Sequence, residues 1–305
     1  VATQRAHGRD AVGLYIGNPT AHHLGAGLTI FPLAATLRTR NRFSATSQDQ
    51  LPQSLAALKL FGHLALFPIP DIDRTQFFLC LGGNPMASNG SLMSAPGFRH
   101  RLRALQERGG RFVVVDPRRT ETAKVADEHL PIRPGTDAWL LLAMLHVLFA
   151  EGLADLGSAA AYVDGVDELE RLVADFSPQD AAEVTGIAAQ DIRRLARELA
   201  AAPSAAVYGR VGICTQEFGG LAAWLQYVLN IVTGNLDREG GMMFTTPAAD
   251  VLPLAEMTGY SGSFDTFRSR VSGLPEFAGE LPTAVLAEEM ETPGEGQIRA
   301  LLVHA

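Results

Sequence analysis

The chain of 305 residues is 47% hydrophobic and 19% charged, ordinary for globular protein and long enough for two hydrophobic cores. Its 25 basic and 33 acidic side chains leave a net charge of −8, which excludes a nucleic-acid surface, because phosphate binding needs clustered Lys and Arg and the only lysines are Lys59 and Lys124. Cys80 and Cys214 are too few for a disulfide framework or a cysteine metal site, and no apolar run reaches the roughly 18 residues of a transmembrane segment.

Short β-branched runs alternate with helical patterns, which predicts an α/β fold with largely parallel sheets. The first expected strand covers residues 11–17 and runs into a Gly-rich loop where His22 and His23 are expected to be solvated. A helix over 51–60 precedes a strand at 76–81 that ends in Gly82-Gly83-Asn84-Pro85. Residues 98–108 place Phe98, Leu102 and Leu105 at helical spacing, with arginines on the other faces, and Gly109-Gly110 stops this crossover helix before a strand at 111–116. A strand at 129–133 leads through Pro134-Gly135 into a buried helix at 136–150, with Asp137 in the first turn, where a carboxylate suits the helix dipole. Helices at 178–184 and 189–202, a strand at 205–211 and an apolar helix at 221–233 follow, the last stopped by Gly234-Asn235. Residues 247–293 turn to Gly, Pro, Ser, Thr and Glu and predict a long surface loop, before a final strand at 299–304.

Ligands of an open parallel sheet bind beyond the carboxyl ends of its strands, so the residues following each strand carry the functional signal. Gly82-Gly83-Asn84-Pro85 offers small residues whose N–H groups can approach a diphosphate, and an amide at Asn84. Asp116-Pro117-Arg118-Arg119-Thr120 pairs a carboxylate suited to ribose hydroxyls with guanidinium groups suited to phosphate. Pro134-Gly135-Thr136-Asp137 presents a carboxylate able to accept paired N–H bonds from a guanine edge. Singly, each also reads as a plain turn or helix entry. Together they converge on one sheet edge, and the lack of a GxGxxG run disfavours an ordinary nicotinamide dehydrogenase.

The ordered set Gly82-x-Asn84-Pro85, Val115-Asp116-Pro117-Arg118-Arg119-Thr120, Ile132-Arg133-Pro134-Gly135-Thr136-Asp137 and Thr233-Gly234-Asn235 resembles the catalytic subunits of the dimethyl sulfoxide reductase and formate dehydrogenase family, a likeness that runs from about residue 11 to 241. The resemblance implies a bis(molybdopterin guanine dinucleotide) cofactor holding molybdenum or tungsten, with Gly82, Gly83, Asn84, Asp116, Arg118, Gly135 and Asp137 along one dinucleotide. The stretch Gly209-Arg210-Val211-Gly212-Ile213 with Gln216 resembles the family's loop near the other pterin, which implies cofactor roles for Gly209, Gly212 and Gln216; Gly234 and Asn235 resemble its Thr-Gly-Asn turn. The family's metal ligand comes shortly before the middle lobe, often three residues ahead of a Pro. Asp49 fits that place before Pro52 as metal ligand and catalytic residue, with Ser47 as the alternative; either residue type also serves as a cap for the helix at 51–60.

These readings combine into two Rossmann-like α/β lobes: a dinucleotide-binding lobe at 47–200 inserted into a discontinuous lobe of residues 1–46 and 201–305. The iron–sulfur domain that many relatives carry at the N-terminus, and their C-terminal β-barrel-like domain, are not within these residues. The chain is therefore expected to be a central piece of a longer oxidoreductase, inactive and cofactor-free by itself. The intact enzyme is expected to transfer an oxygen atom or hydride equivalent to or from a small-molecule substrate, with a redox partner protein or subunit, in the cytoplasm rather than the periplasm of a bacterium. The competing reading is a metal-free scaffold of the same fold, as in the large peripheral subunit of respiratory complex I.

Overall fold

The computed structural model of the chain describes residues 1–248, 250, 252–253 and 262–304. It divides into two α/β units, Pro52–Asp250 and the two ends Val1–Leu51 with Val251–Ala305, so the middle unit is inserted into the other. The second boundary falls at 250 and not at the expected 200. The reason is strand pairing: Ala205–Gly209 is hydrogen-bonded in parallel along its whole length to Phe77–Leu81, which binds it to the middle sheet.

The middle sheet has four parallel strands in the order Glu128–Leu130, Arg111–Val115, Phe77–Leu81, Ala205–Gly209. Every residue of Phe77–Leu81 is buried, as expected of an apolar strand covered on both faces. The strand period of two sends Leu79, Leu81, Val113, Val115 and Val207 to one face, against helices Asp137–Ala150, Ala189–Ala201 and Gly219–Val232. Phe78, Cys80, Phe112, Val114 and Tyr208 point to the other face, where Phe98, Leu102 and Leu105 of helix Phe98–Glu107 complete a second core. Cys80 and Cys214 pack as small apolar groups, and burial pushes the Cys80 thiol up to about 12. The fourth strand ends at Gly209, two residues earlier than its apolar run implies, because Val211–Cys214 turns into a helical segment.

Ala205–Gly209 is an edge strand, yet its outward N–H groups are not left bare. Asn235 Oδ1 accepts from Ala205 N at 2.9 Å, Asn230 Oδ1 from Val207 N at 2.9 Å, and Gln226 Oε1 from Gly209 N. Gln226 and Asn230 lie one helical turn apart on Gly219–Val232 and are buried. A row of amides thus replaces the missing fifth strand and satisfies groups that would otherwise cost about 1–3 kcal/mol each.

In the unit built from the chain ends, Ala300–His304, Val12–Ile16 and Arg42–Ser44 form a parallel sheet with Val12–Ile16 in the centre. Helix Leu24–Leu37 occupies sequence that reads as Gly-rich loop, and His23 caps it by accepting from Ala26 N at 3.1 Å through Nδ1. The surface loop expected at 247–293 is largely regular where described: Phe264–Arg268 and Pro275–Phe277 pair antiparallel, and Leu286–Glu291 is helical. Two fully buried carboxylates organise it. Glu276 accepts from Ser263, Thr266 and the Gly279 N–H, and Glu289 from Arg270 and the Val271 N–H. Residues 249, 251 and 254–261 of that expected loop lie outside the described residues.

Candidate dinucleotide site at the carboxyl edge of the middle sheet

Four chain segments leave the carboxyl edge of the middle sheet, and their backbones are tied to one another. The Gly82 N–H donates to Val115 O at 2.9 Å, the Arg210 N–H to Leu81 O at 3.0 Å and the Gly212 N–H to Gly82 O at 2.9 Å. Gly82 has φ +54°, and a Cβ there would lie 2.6 Å from Gly212 Cα. Only glycine at both positions lets the two turns touch. Gly209 is small for a similar reason, since a Cβ would collide with Ile213 and with the Gln226 amide. Gly135, with φ +82°, faces open space.

Asn84 directs its amide onto the neighbouring Asp116–Thr122 turn. Its Oδ1 accepts from Thr122 Oγ1 at 2.6 Å and Thr122 N at 3.2 Å, and its Nδ2 donates to Glu121 at 2.9 Å, which holds the Glu121 carboxyl below its ordinary range. Asn84 is therefore the bolt between the Gly82-Gly83 turn and the Asp116–Thr122 turn. Asp116 shapes the second turn by accepting from the Arg118 N–H at 2.8 Å. The Arg118 side chain is 70% exposed, 3.9 Å from Glu121, and Arg119 is exposed as well. This edge thus carries outward-facing cationic groups beside a half-buried carboxylate.

Asp137 is the most constrained charged group there, 5% exposed in the first turn of helix Asp137–Ala150. Burial raises its pKa; an N–H bond from Gln216 Nε2 at 2.8 Å and the helix backbone pull it back, and the Asp116 carboxylate pushes it up again. Gln216 Nε2 also donates to Gly212 O at 3.2 Å, while its Oε1 is buried without a protein partner among the described residues. The structure thus brings Gln216 to Asp137, although the sequence likeness sets it with a different loop. A further polar group is Arg210, a buried guanidinium directly after the fourth strand, bonded to Gln53 Oε1, while Gln53 Nε2 donates to Gly209 O at 2.5 Å. Its signal was its position after a buried strand inside Gly209-Arg210-Val211-Gly212.

Gly234 and Asn235 do not join this cluster. Asn235 binds Ala205 N at the amino end of the fourth strand, the opposite edge of the sheet, and Gly234, with φ +63°, packs against Asp155 O and Gly157. Asp49 and Ser47 belong to the other unit. The Ser47 hydroxyl accepts from Thr283 N at 2.9 Å and donates to Thr283 Oγ1 at 3.1 Å, so it braces the Thr283 turn. Asp49 ends the short helix Thr46–Asp49, half-buried, and among the described residues its carboxylate makes no capping bond to the helix that follows.

Among the described residues no group of three His, Cys, Asp or Glu side chains is placed to hold a metal ion. The donor set at the middle edge fits a different guest. Exposed guanidiniums suit diphosphate, and a buried carboxylate whose charge is incompletely compensated suits a base edge with adjacent N–H donors.

The sequence matches the molybdopterin oxidoreductase family over residues 3–302. It is 32% identical to formate dehydrogenase H of Escherichia coli over 198 residues, 65% of this chain and 26% of that protein. It is 34% identical to the molybdopterin-containing subunit of thiosulfate reductase of Salmonella typhimurium over 216 residues, 70% of this chain and 27% of that one. The solved structure of acetylene hydratase from Pelobacter acetylenicus aligns with a TM-score of 0.66 at 25% identity, over 81% of this chain and 32% of that chain. The chain spans about a quarter of the length of the two curated relatives, and no helix among its described residues is long and apolar enough to cross a membrane. Strand order, strand-end motifs and these likenesses agree: the chain belongs to the molybdopterin oxidoreductase family.

Proposed function

We propose that this chain is the central α/β part of a molybdenum or tungsten oxidoreductase that carries bis(molybdopterin guanine dinucleotide), and that the carboxyl edge of its middle sheet holds one guanine dinucleotide. The carrying observation is Asp137, a carboxylate kept nearly out of water at a helix start, with an N–H donor on one oxygen and burial opposing its charge. Guanine offers the N1–H and an exocyclic amine side by side, and a carboxylate accepts both. Asp116 would accept from the ribose, Arg118 and Arg119 would face the phosphates, and Asn84 would hold the two turns at fixed spacing. Asp49 would ligate the metal, because Ser47 already spends its hydroxyl on Thr283. The bound group would supply two-electron redox chemistry for oxygen-atom or hydride-equivalent transfer, with electrons passing to a redox partner, and the protein would supply position and ligation.

The test uses the complete polypeptide purified from cells that make the cofactor. Guanine dinucleotide released by acid and one molybdenum or tungsten per chain are expected; a protein lacking both would be the metal-free scaffold. Asp49→Ala should retain the dinucleotide and lose one light-atom ligand of the metal by X-ray absorption, and an unchanged ligand set would remove Asp49 from that role.

A further inference from the structure

Resting on the guanine reading of Asp137, we infer that Gln216 is a positioning residue for base recognition: it acts through Asp137, fixing the plane in which that carboxylate meets the guanine edge. The amide orientation follows from chemistry. Its nitrogen faces two acceptors, Asp137 Oδ2 at 2.8 Å and Gly212 O at 3.2 Å, and the reversed amide would set an oxygen against both. A carboxylate rotates about its last side-chain bond unless a partner holds it. Gln216 occupies one lone-pair direction of Oδ2 and the helix backbone another of the roughly four that an ionised carboxylate has, which leaves acceptor sites for the base.

Gln216 also completes a continuous connection across the edge. Gly82 O accepts from the Gly212 N–H, Gly212 O from Gln216, and Asp137 from the same Gln216 nitrogen. The turn that faces the diphosphate and the residue that faces the base are thereby set to one another. Holding the amide this way leaves Gln216 Oε1 buried without a protein partner among the described residues.

The experiment uses the complete polypeptide made in cells unable to form the dinucleotide, titrated calorimetrically with GDP, with inosine diphosphate, which lacks only the exocyclic amine, and with ADP. GDP should bind about tenfold or more tighter than inosine diphosphate, the loss of one charge-assisted hydrogen bond. Gln216→Met keeps much of the side-chain length and removes the donor; Gln216→Ala removes both. In each variant the preference for GDP over inosine diphosphate should fall to within about threefold, whereas a brace that only maintains the fold would weaken both nucleotides equally and leave their ratio intact. A wild-type-like ratio in Gln216→Met overturns the role of Gln216. If the wild-type protein itself binds GDP no better than ADP, the guanine reading of Asp137 falls instead.

Discussion

Two Gly-Asn-Pro loops follow central strands of parallel sheets in this chain, and they are built differently. Gly83-Asn84-Pro85 follows Phe77–Leu81, and its asparagine is bonded to both Thr122 and Glu121 of the neighbouring turn. Gly17-Asn18-Pro19 follows Val12–Ile16, and there Asn18 and Pro19 are exposed while the loop is held by Thr20 Oγ1 at 2.6 Å from His304 Nδ1 and by the Gly17 N–H on His304 O. Gly82, which leads into the first loop, is left-handed and touches Gly212, whereas Gly17 is extended at φ −80°. The same three letters therefore mark a turn in both places, and the adjoining strand's loop decides whether the asparagine becomes a bolt. A neighbour with a backbone N–H and a hydroxyl in reach makes the difference.

The comparison breaks most visibly at the glycines. Gly82→Ala forces a left-handed alanine into backbone that cannot retreat, and should cost about 3 kcal/mol or more in denaturant unfolding. Gly17→Ala carries no left-handed penalty, so a loss as large there would show that backbone conformation is not what separates the loops. Next come the asparagines. Asn84→Ala strips the Thr122 N–H and hydroxyl of their acceptor and should cost about 1–3 kcal/mol, whereas Asn18→Ala should stay within about 0.5 kcal/mol. Equal losses would contradict the distinction between bolt and plain turn.

The smallest effect is a pH dependence confined to the middle edge. Asp137 has a folded-state pKa raised above its unfolded value, so it binds more protons folded than unfolded between the two. Its contribution is fully present below the unfolded pKa near 4 and is lost as pH rises through the folded value. Asp137→Asn should remove that loss, flattening the fall in melting temperature above pH 4, while eliminating the preference for GDP. A wild-type pH profile in the Asp137→Asn variant would mean that the carboxylate is not the group being desolvated.

Much of this was legible in sequence where the physics is local. The crossover helix at 98–108 and the strand at 111–116 follow from apolar spacing, and both stand within a residue of their expected ends. The order of Asn84, Asp116 and Asp137 at successive strand ends was legible for the same reason: one parallel sheet places all its carboxyl ends together. The hairpin at 264–277 was illegible because its stabilising groups are buried acids, Glu276 foremost, which composition reads as surface. Gly234-Asn235 lies at the amino end of the fourth strand, a position its sequence left open because a turn motif does not state which end of a strand it will cap.

Sequence alone determined the fold class, the family wording and the edge on which charged and small residues gather, since strand and helix periods are written residue by residue. Tertiary structure alone decided that the fourth strand belongs to the middle unit, that Asn84 bonds the Asp116–Thr122 turn, and that Gln216 meets Asp137. Those contacts join residues 37 to 156 positions apart in the chain, and separations of that kind are fixed by which strands become neighbours, not by any local pattern.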